Sequence, residues 1–254
     1  MKTAKTRDYS NLMERLQKSW ESNMIPILTL GEISAEGKTY PLFKVVVGKS
    51  NSRRALISAG IHGDEPGGVE TIIEFLETKR YLKFIHDWEI TLLPCLNPWG
   101  YDNDTRENHE GKDLNREFKS FSPPQEVKLI QPVFQEPFDL ALELHDDAES
   151  KGYYLYVKGN DGNELKLGHK ILKEVEKIMP LNLNTKIDGK PADHGVIERG
   201  CGEENGGCWP MAVYTLVHGS KACLTLEASA FFPRELQVIS HATAIEAALK
   251  NFSA

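Results

Sequence analysis

Two short stretches hold side chains that suit a metal ion: His62-Gly63-Asp64-Glu65, and Leu144-His145-Asp146 some eighty residues on. Zinc takes neutral imidazole nitrogen and carboxylate oxygen, and two histidines plus one glutamate leave a fourth coordination position for water. His62, Glu65 and His145 are therefore candidate ligands of one catalytic zinc ion, and hydrolysis is the first functional expectation. Nickel, cobalt or manganese could use similar donors. The H-x-x-E spacing is common, and a capping glutamate beside a surface histidine would fit it equally. Three companions change the balance. Gly60, Gly63, Gly67 and Gly68 crowd the loop and permit close backbone approach. His145 ends an apolar run. Between the two stretches lies a polar signature: Asn97-Pro98-Trp99-Gly100, then Arg106-Glu107-Asn108, then Gly111-Lys112-Asp113-Leu114-Asn115-Arg116.

The order H-x-x-E, N-P-x-G, R-x-N-x-x-G-x-D-L-N-R, a strand ending in His and a late strand ending in Glu resembles the zinc carboxypeptidases of the M14 family, across residues 55–230. The resemblance implies His62, Glu65 and His145 as zinc ligands, with Asp113 accepting a hydrogen bond from the far nitrogen of His62, which would fix its tautomer. Read alone, Asp113 is equally a turn or helix-cap residue. The resemblance makes Glu227 the general base and acid. It ends the apolar run 222–226, where partial burial should raise its pKa toward a useful range. Arg106 would donate to the scissile carbonyl oxygen as charge develops, and Asn115 with Arg116 would hold a substrate carboxylate.

One departure stands out. Digestive members carry a tyrosine upstream of the general base, and the corresponding stretch around Asn205, in loop 200–207, has none; Tyr214 receives no catalytic role. The same alignment puts Ala212 and Val213 near the side-chain pocket. Two readings follow: a metallocarboxypeptidase releasing a C-terminal residue, or an N-acyl amino acid amidohydrolase of the related aspartoacylase and succinylglutamate desuccinylase group. N-P-x-G and the R-x-N-x-x-G spacing favour the first, the missing tyrosine the second. Either substrate carries a free carboxylate. A noncatalytic binder would not need the full set of ligands and base. Asp146, Asp147, Glu203 and Glu204 could attract a cationic group or simply be solvated, and His194 and His218 could lie near the cleft.

The elements that must position these groups alternate in type. Strands are predicted at 27–33, 42–47 and 55–59, antiparallel at the start, then a helix at 66–79 that opens on proline. A strand at 89–96, a helix at 124–134, strands at 140–144 and 153–157 and a helix at 164–178 follow, then an irregular Gly/Cys-rich stretch, a strand at 222–226 and a helix at 234–249. This is an α/β pattern: a single domain over 1–254 with a mixed parallel and antiparallel sheet flanked by helices, carboxypeptidase-like in the resemblance. His62, His145 and Glu227 are each placed just past a strand, where such folds bind ligands.

A formal charge of -7 argues against nucleic acid as a partner. The polar start lacks an apolar core, so neither a leader nor a membrane span is expected and the chain is assigned to the cytoplasm. Cys95 and Cys223 read as small buried hydrophobes, and a disulfide between Cys201 and Cys208 is disfavoured in that compartment. Oligomeric state is not legible.

Overall fold

β-Branched and leucine-rich runs set the sheet, and their two-residue alternation sorts its faces. In the computed structural model, residues 7–23, 25–49, 53–159, 162–198 and 209–253 are described. The strands are β1 (Ile27–Ala35), β2 (Lys38–Val47), β3 (Arg53–Ala59), β4 (Trp88–Leu93), β5 (Leu140–Asp147), β6 (Tyr154–Gly159), β7 (Lys186–Ile187), β8 (Lys190–Pro191), β9 (Val196–Glu198) and β10 (Ala222–Ser229). Eight of them form one sheet in the order β1-β2-β4-β3-β5-β10-β6-β9, while β7 and β8 pair separately. Pairing is parallel along β4-β3-β5-β10 and β6-β9, and antiparallel for β1-β2, β2-β4 and β10-β6.

The antiparallel opening therefore holds for β1 and β2 only. β3 does not pair with β2; β4 inserts between them and runs parallel to β3. Likewise β10 separates β5 from β6. The central strands are buried on both faces, as parallel strands covered by helices must be. Ala55, Ile57, Leu142, Leu144, Leu224 and Leu226 point into the larger core cluster. Helices α2 (Pro66–Glu77), α5 (Asn163–Val175) and α7 (Arg234–Asn251) add Ile72, Ile171 and Ile245 to it. Leu56, Ala141 and Cys223 face the other way, into a second cluster with Phe118, Phe134 and Met211.

Several elements differ from the sequence reading, among them short strands and a helix at Met211–Val217 in the stretch expected to be irregular. The helix expected at 124–134 is split into α4 (Gln125–Ile130) and a 3-10 turn at Gln131–Gln135. Pro132 lacks the amide hydrogen that a continuing α-helix needs there. An unexpected helix, α1 (Tyr9–Asn23), buries Tyr9, Leu12 and Leu16. Its first turn is tied down by the buried carboxylate of Asp102, which accepts from the Tyr9 amide at 2.6 Å. Among the described residues no helix is long and apolar enough to cross a membrane.

Candidate active site

The loop after β3 carries His62 and Glu65 to the start of α2, whose first residue is Pro66. Glycine is required here for space. A Cβ on Gly63 would strike the Gly100 backbone, and one on Gly67 would strike the Asp146 carboxylate. Glu65 occupies the cap position of α2 but makes no side-chain cap bond. Its carboxylate turns to the imidazoles instead, with Oε1 2.7 Å from His62 Nδ1 and Oε2 2.8 Å from His145 Nδ1. One donor atom from each of His62, Glu65 and His145 lies within 4.8 Å of the other two. The spacing and the donor chemistry fit a divalent ion such as zinc.

The polar signature between the two stretches is scaffolding for this cluster. Asn97 caps the short helix α3 (Pro98–Asn103) by accepting from Gly100 N at 3.0 Å. Its amide also donates to the Arg106 carbonyl at 3.2 Å, and the Gly63 amide donates to the same carbonyl at 3.4 Å. Asn97 thus clamps the Arg106 segment against the His62 loop. Asn108 folds the next loop by accepting from the amides of Glu110 and Lys112. That turn delivers Asp113.

Both open readings of Asp113 hold at once. Its Oδ1 accepts from the Asn115 amide at 2.9 Å, capping the 3-10 turn Leu114–Arg116, and from His62 Nε2 at 3.2 Å. Oδ2 accepts from Arg106 Nε and Nη2 at 3.2 and 3.0 Å. The guanidinium is thereby fixed beside the donor set, with Nη1 3.4 Å from Glu65 Oε1. Burial works against the His62 cation, but its hydrogen bonds to Asp113 and Glu65 prevail and push its pKa up to about 9. For Asp113 and Glu65 burial pulls upward and the imidazoles win, holding both carboxylates well below their usual range.

His145 and Glu227 were expected just past strand ends. They lie within β5 and β10, directly paired in the parallel register. The runs 140–144 and 222–226 look like complete strands because polarity changes at their ends, but backbone pairing continues to Asp147 and Ser229. Adjacent strands are about 4.8 Å apart, so two same-face side chains in register are neighbours. Glu227 faces the cleft, and burial raises its pKa well above the ordinary carboxylate range.

These groups line one cleft of about 860 Å³, with Arg106, Asn115, Arg116 and Ala212 on its walls. Asn115 Oδ1 accepts from the Met211 amide at 2.9 Å, anchoring the start of α6 (Met211–Val217). That orientation leaves the Asn115 NH2 for a ligand. Arg116 is exposed, with Nη1 bonded to the Asn115 carbonyl. Val213 does not line the cleft, and neither do His194 and His218, both exposed. Tyr214 also stays out, stacked on His218 with ring centroids 3.9 Å apart. Glu203, Glu204, Asn205, Cys201 and Cys208 lie outside the described residues; Cys95 and Cys223 are buried and not disulfide-bonded.

Sequence reasoning left the roles of some cleft residues open and missed others. Asp146 is not a loose acid, since its Oδ2 accepts from the Gly67 amide at 2.6 Å and from Arg234 at 2.8 Å. It joins the starts of α2 and α7 to β5. Asp147 accepts from the Tyr154 hydroxyl at 2.8 Å. Behind β5, the buried His241 reaches the His145 carbonyl with Nε2, at 3.1 Å, and the Tyr153 hydroxyl with Nδ1, at 2.9 Å. Glu143, Thr225, Tyr154 and Tyr156 share the cleft-facing side of the sheet. Alternation from His145 would have flagged Glu143; the others need knowledge of strand order.

Similar structures share this architecture. A protein of Shewanella amazonensis SB2B assigned as a metallopeptidase superposes with a TM-score of 0.82 at 20% identity, covering 96% of this chain and 92% of that one. A metallo-carboxypeptidase from Burkholderia cenocepacia gives 0.72 at 16%, covering 96% and 69%. Bovine thrombin-activatable fibrinolysis inhibitor, solved with a tick carboxypeptidase inhibitor, gives 0.66 at 16% and covers 96% of both chains. At these identities the likeness is one of fold. No curated protein sequence matches the chain. The profile of the succinylglutamate desuccinylase/aspartoacylase catalytic domain matches residues 51–250, most of the chain, and the protein belongs to that family.

Proposed function

We propose that the chain is a zinc-dependent hydrolase that cleaves an amide bond next to a free carboxylate, acting as a carboxypeptidase on a peptide or peptide-like substrate. One observation carries the reading: the His62, Glu65 and His145 donors converge within 4.8 Å, and Glu227 is register-paired with His145 beside them. His62 Nδ1, His145 Nδ1 and the Glu65 carboxylate would hold the ion. When bound, it supplies a Lewis acid and lowers the pKa of water to about 7.

The remaining work falls to side chains. Glu227 takes a proton from the attacking water and returns it to the leaving nitrogen, and its raised affinity for protons suits both transfers. Arg106, held rigid by Asp113, donates toward the carbonyl oxygen as negative charge grows there. Asn115 and Arg116 orient the substrate carboxylate through amide and guanidinium donors. Asp113 keeps the His62 ring in place from behind.

The family match favours a second reading, deacylation of an N-acyl amino acid. The chemistry is the same, and the cleft would differ only in what it holds on the acyl side. Its volume of about 860 Å³ supports the peptide, since it lies toward the upper end of ordinary ligand pockets, about 300–1,000 Å³. The zinc-loaded protein should be assayed on short peptides beside acetyl and succinyl amino acids. Release of C-terminal residues supports the first reading, and turnover of acyl amino acids alone replaces it with the second.

A further inference from the structure

Beyond Leu144, strand β5 has a sheet neighbour on one side only: its pairing with β3 stops opposite Ala59, while that with β10 runs on to Asp147. The peptide group joining His145 to Asp146 lies in this half-held stretch. The Asp147 carbonyl accepts from the Ala230 amide just after β10, so by the two-residue alternation the His145 carbonyl turns toward β10 and the Asp146 amide away from it. That amide donates to Glu65 Oε2 at 3.3 Å, and the same oxygen lies 2.8 Å from His145 Nδ1. The carbonyl accepts from His241 Nε2, which reaches it from α7 at 3.1 Å. One peptide plane is thus gripped at both edges, by Glu65 and by His241. The imidazole of His241 is wholly buried and does not line the cleft. A carbonyl only accepts, so Nε2 must carry the hydrogen, and the bare Nδ1 accepts from the Tyr153 hydroxyl at 2.9 Å. Asp146 Oδ1 also faces Nε2, at 3.6 Å, beyond hydrogen-bond reach.

We infer that His241 is a positioning residue for two of the proposed metal ligands, His145 and Glu65, acting through the peptide group between His145 and Asp146. A metal site needs its donors within about 0.5 Å and 10–20° of the working geometry. The His145 side chain leaves the same backbone whose carbonyl His241 holds, so a rotation of that peptide plane would carry the imidazole with it. The same rotation would draw the Asp146 amide away from Glu65 Oε2 and release the second ligand. Tyr153 completes the device by holding the tautomer. Without its hydroxyl the hydrogen is free to sit on Nδ1, which sets a bare Nε2 against the carbonyl, two acceptors in contact. This inference rests on the proposed ion site of His62, Glu65 and His145, and not on which amide is cut there.

The test compares zinc affinity, by competition with a chelator, in full-length wild type, His241→Gln and His241→Asn. A glutamine amide nitrogen falls where Nε2 stands and can still donate to the His145 carbonyl; that of asparagine falls where Nδ1 stands and cannot. Affinity should drop about tenfold or more in His241→Asn, the lower end of the range for groups behind a ligand, and by less than that in His241→Gln. The visible spectrum of the cobalt-loaded protein, which follows ligand geometry, should change in His241→Asn and return in His241→Gln. Equal affinity in all three proteins overturns the role. So does a loss in His241→Gln as large as that in His241→Asn, which marks packing alone. Nitrogen NMR of the imidazoles in zinc-stripped wild type should show the His241 hydrogen on Nε2, and a hydrogen on Nδ1 overturns the proposal. Should the His241 variants fail to fold, Tyr153→Phe decides: it must weaken zinc binding, and unchanged affinity overturns the role. Wild type that takes up no zinc removes the ion site and this inference together, whereas zinc uptake without turnover of any amide sinks the hydrolase reading alone.

Discussion

Two side chains at the centre, His62 and Arg106, are held by Asp113, a group that does no chemistry in the proposed mechanism. His62 is gripped at both ring nitrogens, by Glu65 and Asp113, and Asp113 also holds Arg106. Removing Asp113 should therefore disturb two functions together. Asp113→Asn is expected to weaken zinc affinity about 10- to 100-fold, the usual range for groups behind a ligand, and to lower kcat as Arg106 loosens. Metal titration with a competing chelator checks the first effect and steady-state kinetics the second. His145→Ala should lose zinc under dialysis, whereas Glu227→Gln should keep one equivalent and lose turnover by about 100-fold or more. An active Glu227→Gln would remove that residue from the mechanism. The convergence of His62, Glu65 and His145 and the contact of Asp113 with His62 were readable through the ordered motifs and the family resemblance they carry, not from the H-x-x-E spacing alone. The anchoring of Asp146 to the starts of α2 and α7 was not, since an acid near a strand end acquires that meaning only when its neighbours in space are known.

Among the elements, the loop between β3 and α2 is the tightest joint. Gly63 packs against the backbone of Gly100, and Gly67 against Asp146. Gly63→Ala is expected to cost about 1–3 kcal/mol, the range for overpacking a filled site, and to lower zinc occupancy by displacing His62. Thermal melts with zinc analysis test both. Strand and helix positions were largely legible, because apolar alternation reports them directly. Strand order was not. Nothing local in β10 says that it enters between β5 and β6, and nothing in β4 says that it separates β2 from β3. The polar character of α1 hid its few core contacts at Tyr9, Leu12 and Leu16.

The whole molecule should couple folding, protons and metal. Without metal, His62 has a folded pKa of about 9 against an ordinary 6.5, so its contribution is complete below 6.5 and vanishes as pH rises through 9. The raised Glu227 acts in the same direction, costing stability once pH exceeds its ordinary value of 4.5. Chelator-treated protein should thus lose Tm steadily from pH 6.5 to 9. Zinc must displace the proton on His62, so the gap in Tm between loaded and stripped protein should widen over that interval. A gap independent of pH would exclude the His62 linkage.

The insertion of β10 between β5 and β6 has a temporal meaning as well. His62, Glu65 and His145 are all synthesised before Glu227, which arrives on the penultimate element of the described chain and must wedge into the centre of the sheet. A nascent polypeptide stopped short of residue 222 would carry His62, Glu65 and His145, the proposed ion ligands, but not Glu227, the proposed base. On the proposed mechanism the topology would withhold hydrolysis until β10 has been made and inserted between β5 and β6, so that one step completes the sheet and brings Glu227 to the donors.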